Sequence, residues 1–479
     1  MNLIISGFNG EIFFPLVSKI LGHFSVRHCH LTYSRSKLAV APKINATFHN
    51  VKDLDSGNYD VQWENITPLD ETLIEKMNDC EVAVLRMMDR LPYELSYNER
   101  KELYLKHLRY WNHILSKHKF DLFLSSNVPH EVYDFIVYYL CKLKNVPTIF
   151  FFQTNITDTV TIMEDWESSV KTIRVKYQQL LKKYRNTDES KILLTGRFKK
   201  DFELGTNETL PKRFDVLIKK PSHNVFSNLI SLLINLKFNR FLLLIKHPNL
   251  LTRSINTYIG RIILDRKIFG FYRNNTCAPN LLKKYIYLPL HMQPEVSTSP
   301  LAGAFVDQIL IVQMIAYHLP KDVYIYVKEN PYQTAVGRSM EFYKDLLKIP
   351  RVRFVPISFD THVLTNNSLA VATATGSVGL EALYRCKPVL MFGHSFYQYA
   401  KGVFQIKNNG DCQRALKKIL SGRYIPNIKN VKIFLKALED TTIEGYIDVD
   451  YKAYSYVTQS ISNKNILRRL VKEIELVSH

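Results

Sequence analysis

Short runs of β-branched, aromatic and aliphatic residues recur along the first third of the chain. They occur at residues 2–6, 82–87, 121–125 and 148–152, and between the last two the apolar positions at 132–143 have helical spacing. A strand, a helix and a second strand with short connections are typical of a parallel sheet covered by helices. The first part of the chain is therefore predicted to be an α/β domain.

A second series of alternating patterns begins near Tyr285. Before it, residues 162–184 have apolar side chains at steps of three and four, which predicts one long amphipathic helix. In the second series, strands are predicted at 285–290, 323–327, 352–355, 369–373 and 388–392, and helices at 305–317, 340–347, 378–384 and 412–420. A charged amphipathic helix is predicted at 463–477.

These patterns divide the chain into four segments. We predict a first Rossmann-like domain at 1–186, a basic insertion at 187–279, a second Rossmann-like domain at 280–440 and a helical tail at 441–479. The chain has 46% hydrophobic and 23% charged residues, which excludes a mainly disordered protein. Its six cysteines show neither CxxC nor zinc spacing, so no disulfide framework and no zinc site are predicted.

The insertion differs from the rest of the chain in charge. Residues 211–270 contain 11 Lys or Arg against two Asp, a net charge of +9, with aliphatic clusters at 229–236 and 241–245. One interpretation is a helical subdomain with a solvated basic face; the other is a segment that docks on anionic lipid. The whole chain carries +20, which favours anionic partners, but it has no signature of a nucleic-acid-binding module. No nucleic acid partner is predicted.

The strongest candidate site lies where the strand at 369–373 gives way to a helix. Small and hydroxylic residues fill this turn, among them Thr375, Gly376 and Ser377. A helix N-terminus offers unpaired N–H groups and the positive end of the helix dipole, which suit a phosphate. Glu381 lies about one turn into the helix, where its carboxylate can reach a ribose diol. The alternative is an ordinary strand–helix turn capped by Ser377.

Polar residues also follow two other predicted strands of the second domain. Lys328 and Asn330 end one strand, and His291, Gln293 and Glu295 follow another. The carboxyl ends of parallel strands are where such sheets bind ligands, and Lys328 would face the phosphates of a nucleotide. Polar surface turns are the alternative for both groups.

In the first domain, His130 and Glu131 stand between a predicted strand and the helix at 132–143. Either side chain could act as a general base across a cleft. Capping of the helix start is the alternative.

Three stretches of the second half carry a resemblance to a known family. YIYLPLHMQPEVSTSPLAGAFVDQ, VYIYVKENP and ATGSVGLEALYRCKPVLMFGHSFY resemble the bacterial capsular polysaccharide biosynthesis family. Its members are glycosyltransferases of the two-Rossmann GT-B type, related to the Kdo transferases of capsule assembly. The first half resembles the family through LRMMDR at 85–90 and SSNVPHEVYD at 125–134.

The resemblance implies a GT-B-like α/β fold, in which two Rossmann-like domains face each other across a cleft, with the basic, mostly helical insertion added. It implies a nucleotide-sugar site in the second domain and an acceptor site in the first. The donor-binding residues would be Lys328, Asn330, Thr375, Gly376, Ser377 and Glu381. The family usually has histidine at the position of Asn330, which leaves the identity of the donor open.

The implied function is transfer of a sugar from a nucleotide sugar to a growing surface polysaccharide or a glycolipid. Glu131 or His130 would deprotonate the acceptor, with inversion at the anomeric carbon and with no metal or other cofactor. A sugar-nucleotide epimerase of the same fold and a non-catalytic binding protein of capsule assembly are the alternatives. The expected location is the cytoplasm, either in solution or at the inner face of the cytoplasmic membrane.

The basic segment 211–270 predicts binding to anionic membranes at low salt. Each Lys or Arg near such a bilayer contributes about 1 kcal/mol, and the attraction falls off within a Debye length. We expect the protein to co-sediment with anionic vesicles, and a variant with Lys237→Glu, Arg240→Glu and Lys246→Glu to lose most of this binding. A wild-type protein that stays in the supernatant at low salt would instead indicate a purely structural segment.

Overall fold

The computed structural model describes residues 1–8, 13–32, 44–91, 95–207, 248–335, 337–448 and 450–477. In these residues the chain forms two β-sheets. The strands of the first sheet are β1 (Asn2–Ser6), β2 (His28–Leu31), β3 (Asn45–Phe48), β4 (Leu122–Ser125), β5 (Thr148–Gln153), β6 (Thr159–Met163) and β13 (Ile443–Glu444). Their order across the sheet is β13-β6-β5-β4-β1-β2-β3. The pairings on either side of β6 are antiparallel and the others are parallel.

Helices cover both faces of the first sheet. The helices in this part of the chain are α1 (Phe14–His23), α2 (Val51–Asp55), α3 (Glu71–Lys76), α4 (Asn78–Met87), α5 (Tyr97–Lys117), α6 (Val132–Leu143), α7 (Lys171–Lys183) and α8 (Gly196–Thr206). The longest of them in this domain, α5, begins at a capping box, in which the side chains of Ser96 and Glu99 accept each other's backbone N–H. One sheet face packs on α5 and α6 and the other on α1.

The second sheet is parallel throughout its described strands. It contains β7 (Tyr285–Pro289), β8 (Tyr324–Lys328), β9 (Val352–Val355), β10 (Ala370–Thr373), β11 (Val389–Met391) and β12 (Val403–Gln405). Their order is β12-β11-β10-β7-β8-β9. The accompanying helices are α9 (Pro248–Asn274), α10 (Ile309–His318), α11 (Met340–Lys348), α12 (Thr361–Asn367), α13 (Val378–Tyr384) and α14 (Asn409–Leu420).

Both sheets reverse their strand order at one point. In the first sheet the reversal lies between β1 and β4, and in the second between β7 and β10. Open α/β sheets bind ligands in the crevice outside the carboxyl ends of the strands at this point. Each domain therefore has one position at which its topology favours a site.

The end of the chain returns to the first domain. Helix α15 (Ile428–Thr441) packs on α7 and α8, β13 adds a strand to the first sheet, and α16 (Gln459–Val477) packs on α1. The segment at 441–479, predicted as a helical tail, thus also supplies a strand. Two Rossmann-like units joined in this way confirm the predicted α/β, GT-B-like class.

Two predicted elements are wrong. Residues 82–87 belong to α4, whose buried Cys80, Val84 and Met87 have helical spacing. The strand was predicted wrongly because a short apolar run does not distinguish a strand from a helix. Residues 162–184 are divided between β6 and α7. The break lies where Asp165 accepts the N–H groups of its neighbours in a turn and where Ser169 has a φ of 56°.

Of the predicted insertion at 187–279, the structure describes residues 187–207, which include α8, and residues 248–279, which include α9, while positions 208–247 lie outside the described residues. The aliphatic clusters predicted to contact lipid fall among those positions. Within the described ranges, no helix combines the length and the apolar character needed to cross a membrane.

A row of histidines is buried in the first domain. His30 Nδ1 lies 2.9 Å from His49 Nε2, the ring of His28 is 5.2 Å from that of His30, and the Tyr59 hydroxyl is 2.5 Å from His107 Nδ1. Burial lowers the pKa of His30 to about 2, that of His107 to about 3 and that of His49 to about 4. These imidazoles are therefore neutral in the folded protein at physiological pH.

These buried histidines predict a loss of stability in mild acid. Their pKa values in the folded state lie below the unfolded value of about 6.5, so as the pH falls below about 6.5 only the unfolded chain takes up the protons. Each histidine then costs up to about 1.4 kcal/mol per pH unit. Urea unfolding at pH 7.5 and pH 5 should show a smaller pH dependence for His107→Gln than for the wild type.

His23→Gln, which removes an exposed histidine of α1, is the matched control for that measurement. Equal pH dependence in His107→Gln and in the wild type would contradict the prediction.

Candidate active site

Loops at the carboxyl ends of the two sheets meet at Arg90. Its guanidinium donates to the carbonyl of His130, which follows β4, and to the carbonyl of Ser299, which follows β7. Burial lowers the pKa of Arg90, and the nearby carboxylates of Glu131 and Glu295 act against this shift. A second link, Arg86 to Asp307 at 2.5 Å, is about half exposed and contributes little to stability. Arg90 therefore joins the two predicted halves of the site.

A polar cavity of about 180 Å³ opens at the switch point of the first sheet. Its lining residues are Gly7, Phe13, Ser125, Ser126, Asn127, His130, Glu131, Tyr133, Asp134, Ile447 and Asp448. Three carboxyl groups, an imidazole and two serine hydroxyls thus surround one space. Such groups can accept hydrogen bonds from the hydroxyls of a sugar.

His130 and Glu131, the predicted base candidates, are neighbours in this cavity. His130 Nδ1 lies 2.6 Å from the carbonyl of Val128, so this nitrogen carries the proton and Nε2 is the basic position. Nε2 is 3.6 Å from Glu131 Oε1. Burial lowers the pKa of His130, despite the opposing charge of Glu131, and the imidazole is therefore neutral near pH 7. Glu131 precedes α6 without a side-chain capping bond, so the capping alternative does not apply to it.

Asp134 is a member of the cavity that the sequence analysis did not identify. Its side chain is 4% exposed, and Oδ1 has no hydrogen-bond partner. Burial, and after it the charge of Glu131, raise the pKa of Asp134 well above its usual value. Glu131 and Asp134 are thus two carboxyl groups in one cavity, of which the buried one favours the protonated form. The signal in the sequence was the spacing: Asp134 follows His130 by about one helical turn.

At the switch point of the second sheet, His291 binds the loop that follows β10. Its Nε2 accepts the N–H groups of Ala374 at 3.1 Å and Thr375 at 3.3 Å, and lies 2.9 Å from Thr373 Oγ1. The proton of the ring is therefore on Nδ1. Burial, followed by the charge of Arg338, lowers the pKa of His291 to about 4, so the imidazole is neutral.

The loop after β10 differs from the expected phosphate-binding turn. Two of its N–H groups bind His291, and the N–H of Gly376 donates to Thr373 Oγ1 at 3.0 Å. Ser377 precedes α13 in a helical conformation and makes no side-chain capping bond. The Thr375 hydroxyl donates to the carbonyl of Ser297 at 2.8 Å. Fewer N–H groups are thus open to a phosphate here than the sequence predicted.

Lys328 and Glu381 approach the same region from two elements. Lys328 Nζ donates to the carbonyl of Phe359 at 2.6 Å and to Thr361 Oγ1 at 2.9 Å, and the Tyr287 hydroxyl lies 3.4 Å from that same oxygen. Burial, and among the nearby charges that of Glu381, raise the pKa of Tyr287. Lys328 thus contacts Thr361 directly, whereas Glu381 acts on Tyr287 through its charge.

The other predicted donor residues mainly shape loops. Asn330 Oδ1 accepts the N–H of Tyr332 at 2.9 Å, which closes a turn. Gln293 donates from Nε2 to the carbonyl of Val306 at 2.7 Å. Glu295 accepts from the Ser297 hydroxyl at 3.1 Å, and burial raises the pKa of its carboxyl group. The charge of Glu295 acts on Arg90, which links this residue electrostatically to the junction.

A buried ion pair supports these loops from behind, and the sequence analysis missed it. Arg338 Nε lies 3.2 Å from Glu329 Oε2, and the two side chains are 1% and 0% exposed. The Tyr343 hydroxyl donates to the same carboxylate at 2.5 Å, and Arg338 also donates to the carbonyl of His291 at 2.7 Å. Hydrogen bonds of this kind are what make a buried ion pair tolerable. The network ties the loop after β8 to the loop after β7.

In the part of the chain that the structure describes, no group of three or more His, Cys, Asp or Glu side chains is arranged to hold a metal ion.

One protein-family model matches part of the second domain. Residues 298–418 match the family model described as capsule polysaccharide biosynthesis protein. This match confirms the resemblance seen in the sequence, and the matched segment contains Ser299, Lys328, Glu381 and the loop after β10. No curated protein matches the sequence significantly.

Several solved structures are similar to the chain at low identity and low TM-score. The beta Kdo 2,7 transferase KpsC of Thermosulfurimonas dismutans is 11% identical, over 81% of this chain and 96% of that chain, with a TM-score of 0.34. The UDP-GlcNAc 2-epimerase of Methanocaldococcus jannaschii is 11% identical, over 92% and 99%, with a TM-score of 0.28. A glycosyltransferase of Rickettsia africae is 13% identical, over 99% and 98%, with a TM-score of 0.25. At these values the likenesses carry no argument about function.

The close approach of Gly376 to His291 predicts a specific sensitivity. A Cβ at Gly376 would lie 2.8 Å from His291 Cε1 and 3.1 Å from Thr373 Oγ1. Overpacking of this kind costs about 1–3 kcal/mol. We expect Gly376→Ala to lower the free energy of unfolding by about that amount in urea titrations.

Gly270→Ala is the matched control, because a Cβ on this glycine of α9 meets nothing within 4 Å. Replacing glycine in a helix by alanine should stabilise by about 0.5–1 kcal/mol. A Gly376→Ala variant as stable as the wild type would show that the His291 ring can move aside.

Proposed function

We propose that the protein transfers a sugar from a nucleotide-sugar donor to a capsular polysaccharide or to its lipid-linked acceptor. The observation that carries the proposal is the junction at Arg90. It joins the cavity of His130 and Glu131 to the segment that matches the capsule polysaccharide biosynthesis family. Donor and acceptor groups at facing strand ends are what a direct transfer between two bound substrates requires.

On the donor side, the leaving group is the phosphate of a nucleotide. Lys328 places a positive charge at the carboxyl end of β8, where it stabilises the negative charge that develops on the departing oxygen. Glu381 accepts hydrogen bonds from the ribose hydroxyls. The neutral His291 holds the loop after β10 in place and offers its Nδ1–H as a donor. Because the positive charge comes from a side chain, the proposed reaction needs no metal ion.

On the acceptor side, we assign Glu131 as the general base. It lines the cavity as a 46% exposed carboxylate, whereas Asp134 favours its protonated form. The acceptor hydroxyl gives its proton to Glu131 as its oxygen bonds to the anomeric carbon. The bond from that carbon to the phosphate oxygen breaks, and its electron pair leaves with the nucleotide. One displacement of this kind inverts the configuration.

The basic segment 211–270 is proposed to hold the enzyme at the cytoplasmic face of the membrane, where a lipid-linked acceptor is found. The support for this is its net charge of +9.

The test separates the two halves of the site. CMP, UDP, GDP and TDP are first screened by thermal shift, since a ligand that binds only the folded state raises the melting temperature. With the nucleotide that binds, Lys328→Met should weaken affinity about tenfold or more by calorimetry. Glu131→Gln should leave nucleotide affinity unchanged and lower turnover by about 10²–10⁴-fold.

Thr361→Val is the matched control for Lys328→Met, because it removes a hydroxyl partner of the ammonium group but keeps the charge. If Lys328 had only a structural role, both variants would bind the nucleotide equally weakly. Release of free nucleotide only when an acceptor is present favours the transferase, whereas conversion of the nucleotide sugar into its epimer without an acceptor would favour an epimerase. Binding of none of the four nucleotides would contradict the proposal.

A further inference from the structure

A second concave site lies in the first domain, and the proposed reaction does not use it. It is a cavity of about 370 Å³ at the carboxyl end of β3, between α2, the loop that follows α2 and helix α5. Small-molecule sites commonly have volumes of about 300–1,000 Å³, so the cavity is large enough for a ligand.

One wall of this cavity is aromatic. The ring of Tyr59 is stacked on that of Tyr110 at 3.8 Å with an angle of 17° between their planes. The hydroxyl of Tyr59 is held by His107 Nδ1 at 2.5 Å, so the ring is fixed in position. Tyr110 is 4% exposed, so the half-buried ring of Tyr59 is the aromatic surface that this pair offers, and such a ring beside polar groups suits the C–H face of a pyranose ring.

Three polar side chains converge on the same space. Asp53, Asn58 and Asp60 line the cavity and are exposed. Within the described ranges, these three side chains make no hydrogen bond or ion pair. Carboxylates accept hydrogen bonds, and an amide both donates and accepts them, which matches the hydroxyls of a sugar.

The charge of the lining restricts the ligand further. Asp53 and Asp60 are acidic. His49 also lines the cavity, and its imidazole is neutral because burial lowers its pKa. An anionic sugar would place like charges together, which is unfavourable. The lining therefore favours a neutral sugar or an amino sugar, although the net charge of the whole chain is +20.

The position of the cavity relates it to the acceptor site. Helix α2 carries Asp53 and Leu54 in the wall of this cavity, while Asp55 lies close enough to Glu131 for the two charges to interact. Burial, and after it Glu131, raise the pKa of Asp55 to about 6. One short helix thus separates the two sites, a distance that a few linked sugars can cover.

We propose that this cavity binds a neutral or amino sugar of the acceptor glycan, a few residues away from the hydroxyl that reacts. The role as an acceptor subsite rests on the proposed function, whereas the binding of sugar at this place can be measured without any turnover.

Tryptophan fluorescence provides that measurement. The ring centroid of Trp63 lies 6.2 Å from that of Tyr59, and the ring centroid of Trp111 lies 5.3 Å from that of Tyr110. The chain has three tryptophans, so these two supply much of its fluorescence. The full-length protein is titrated with maltohexaose, N-acetylchitohexaose, the hexamer of glucosamine and a galacturonate hexamer at millimolar concentrations. At least one of the first three should change the fluorescence, and the galacturonate hexamer should bind more weakly or not at all.

Two variants locate the binding. Asp60→Ala removes from the cavity a carboxylate that can accept hydrogen bonds. It should lower the affinity for the hexamer that binds by about tenfold. Glu75→Ala removes an exposed carboxylate of α3 outside the cavity and should leave that affinity unchanged. Circular dichroism of Asp60→Ala checks that the fold is retained.

The proposal is overturned if none of the three hexamers binds, if the galacturonate hexamer binds best, or if Asp60→Ala and Glu75→Ala bind equally. Binding that depends on Asp60 in a protein that shows no nucleotide-dependent transfer would support the sugar site and contradict the proposed function. The two proposals can therefore fail independently.

Discussion

The candidate site depends on one guanidinium placed between two backbone carbonyls. The planar fork of Arg90 reaches His130 in the first domain and Ser299 in the second at the same time, which the single ammonium group of a lysine does not do with the same geometry. Burial disfavours the positive charge of Arg90, and the nearby carboxylates of Glu131 and Glu295 act against this effect. Arg90 thus sets both the spacing of the two halves and the electrostatics of the space between them.

Topology explains why the chemically useful residues lie on either side of Arg90. Each sheet reverses its strand order once, and neighbouring loops diverge at that point and leave a crevice. The cavity of the first domain lies at the ends of β1 and β4. In the second domain, His291 after β7 reaches across to the loop after β10. The return of the chain through α15, β13 and α16 ties the second domain to the first.

Periodicity predicted the elements of the second half because they are short strands and helices with regular spacing. It failed at residues 82–87, where six residues are too few to show a helical period, and it was incomplete at 162–184. The predicted His130, Glu131, His291 and Glu295 lie at the junction or in a loop bound to it. Arg90, by contrast, acts on a carbonyl 209 positions away, and no local pattern records such a pairing. Asp134 and the pair Glu329–Arg338 were missed for a different reason: their behaviour depends on burial, which a short sequence motif does not show.

The asparagine at position 330 can now be understood from its neighbours. Its Oδ1 accepts the N–H of Tyr332, two residues further on, and Asn is favoured in such turns because its short side chain mimics a backbone carbonyl. The residue thus shapes the loop after β8 rather than adding charge. The other cation of this loop, Arg338, is neutralised by Glu329. In the proposed reaction, Lys328 is then the cation that this loop brings to the donor phosphate, where a histidine at position 330 would add a second.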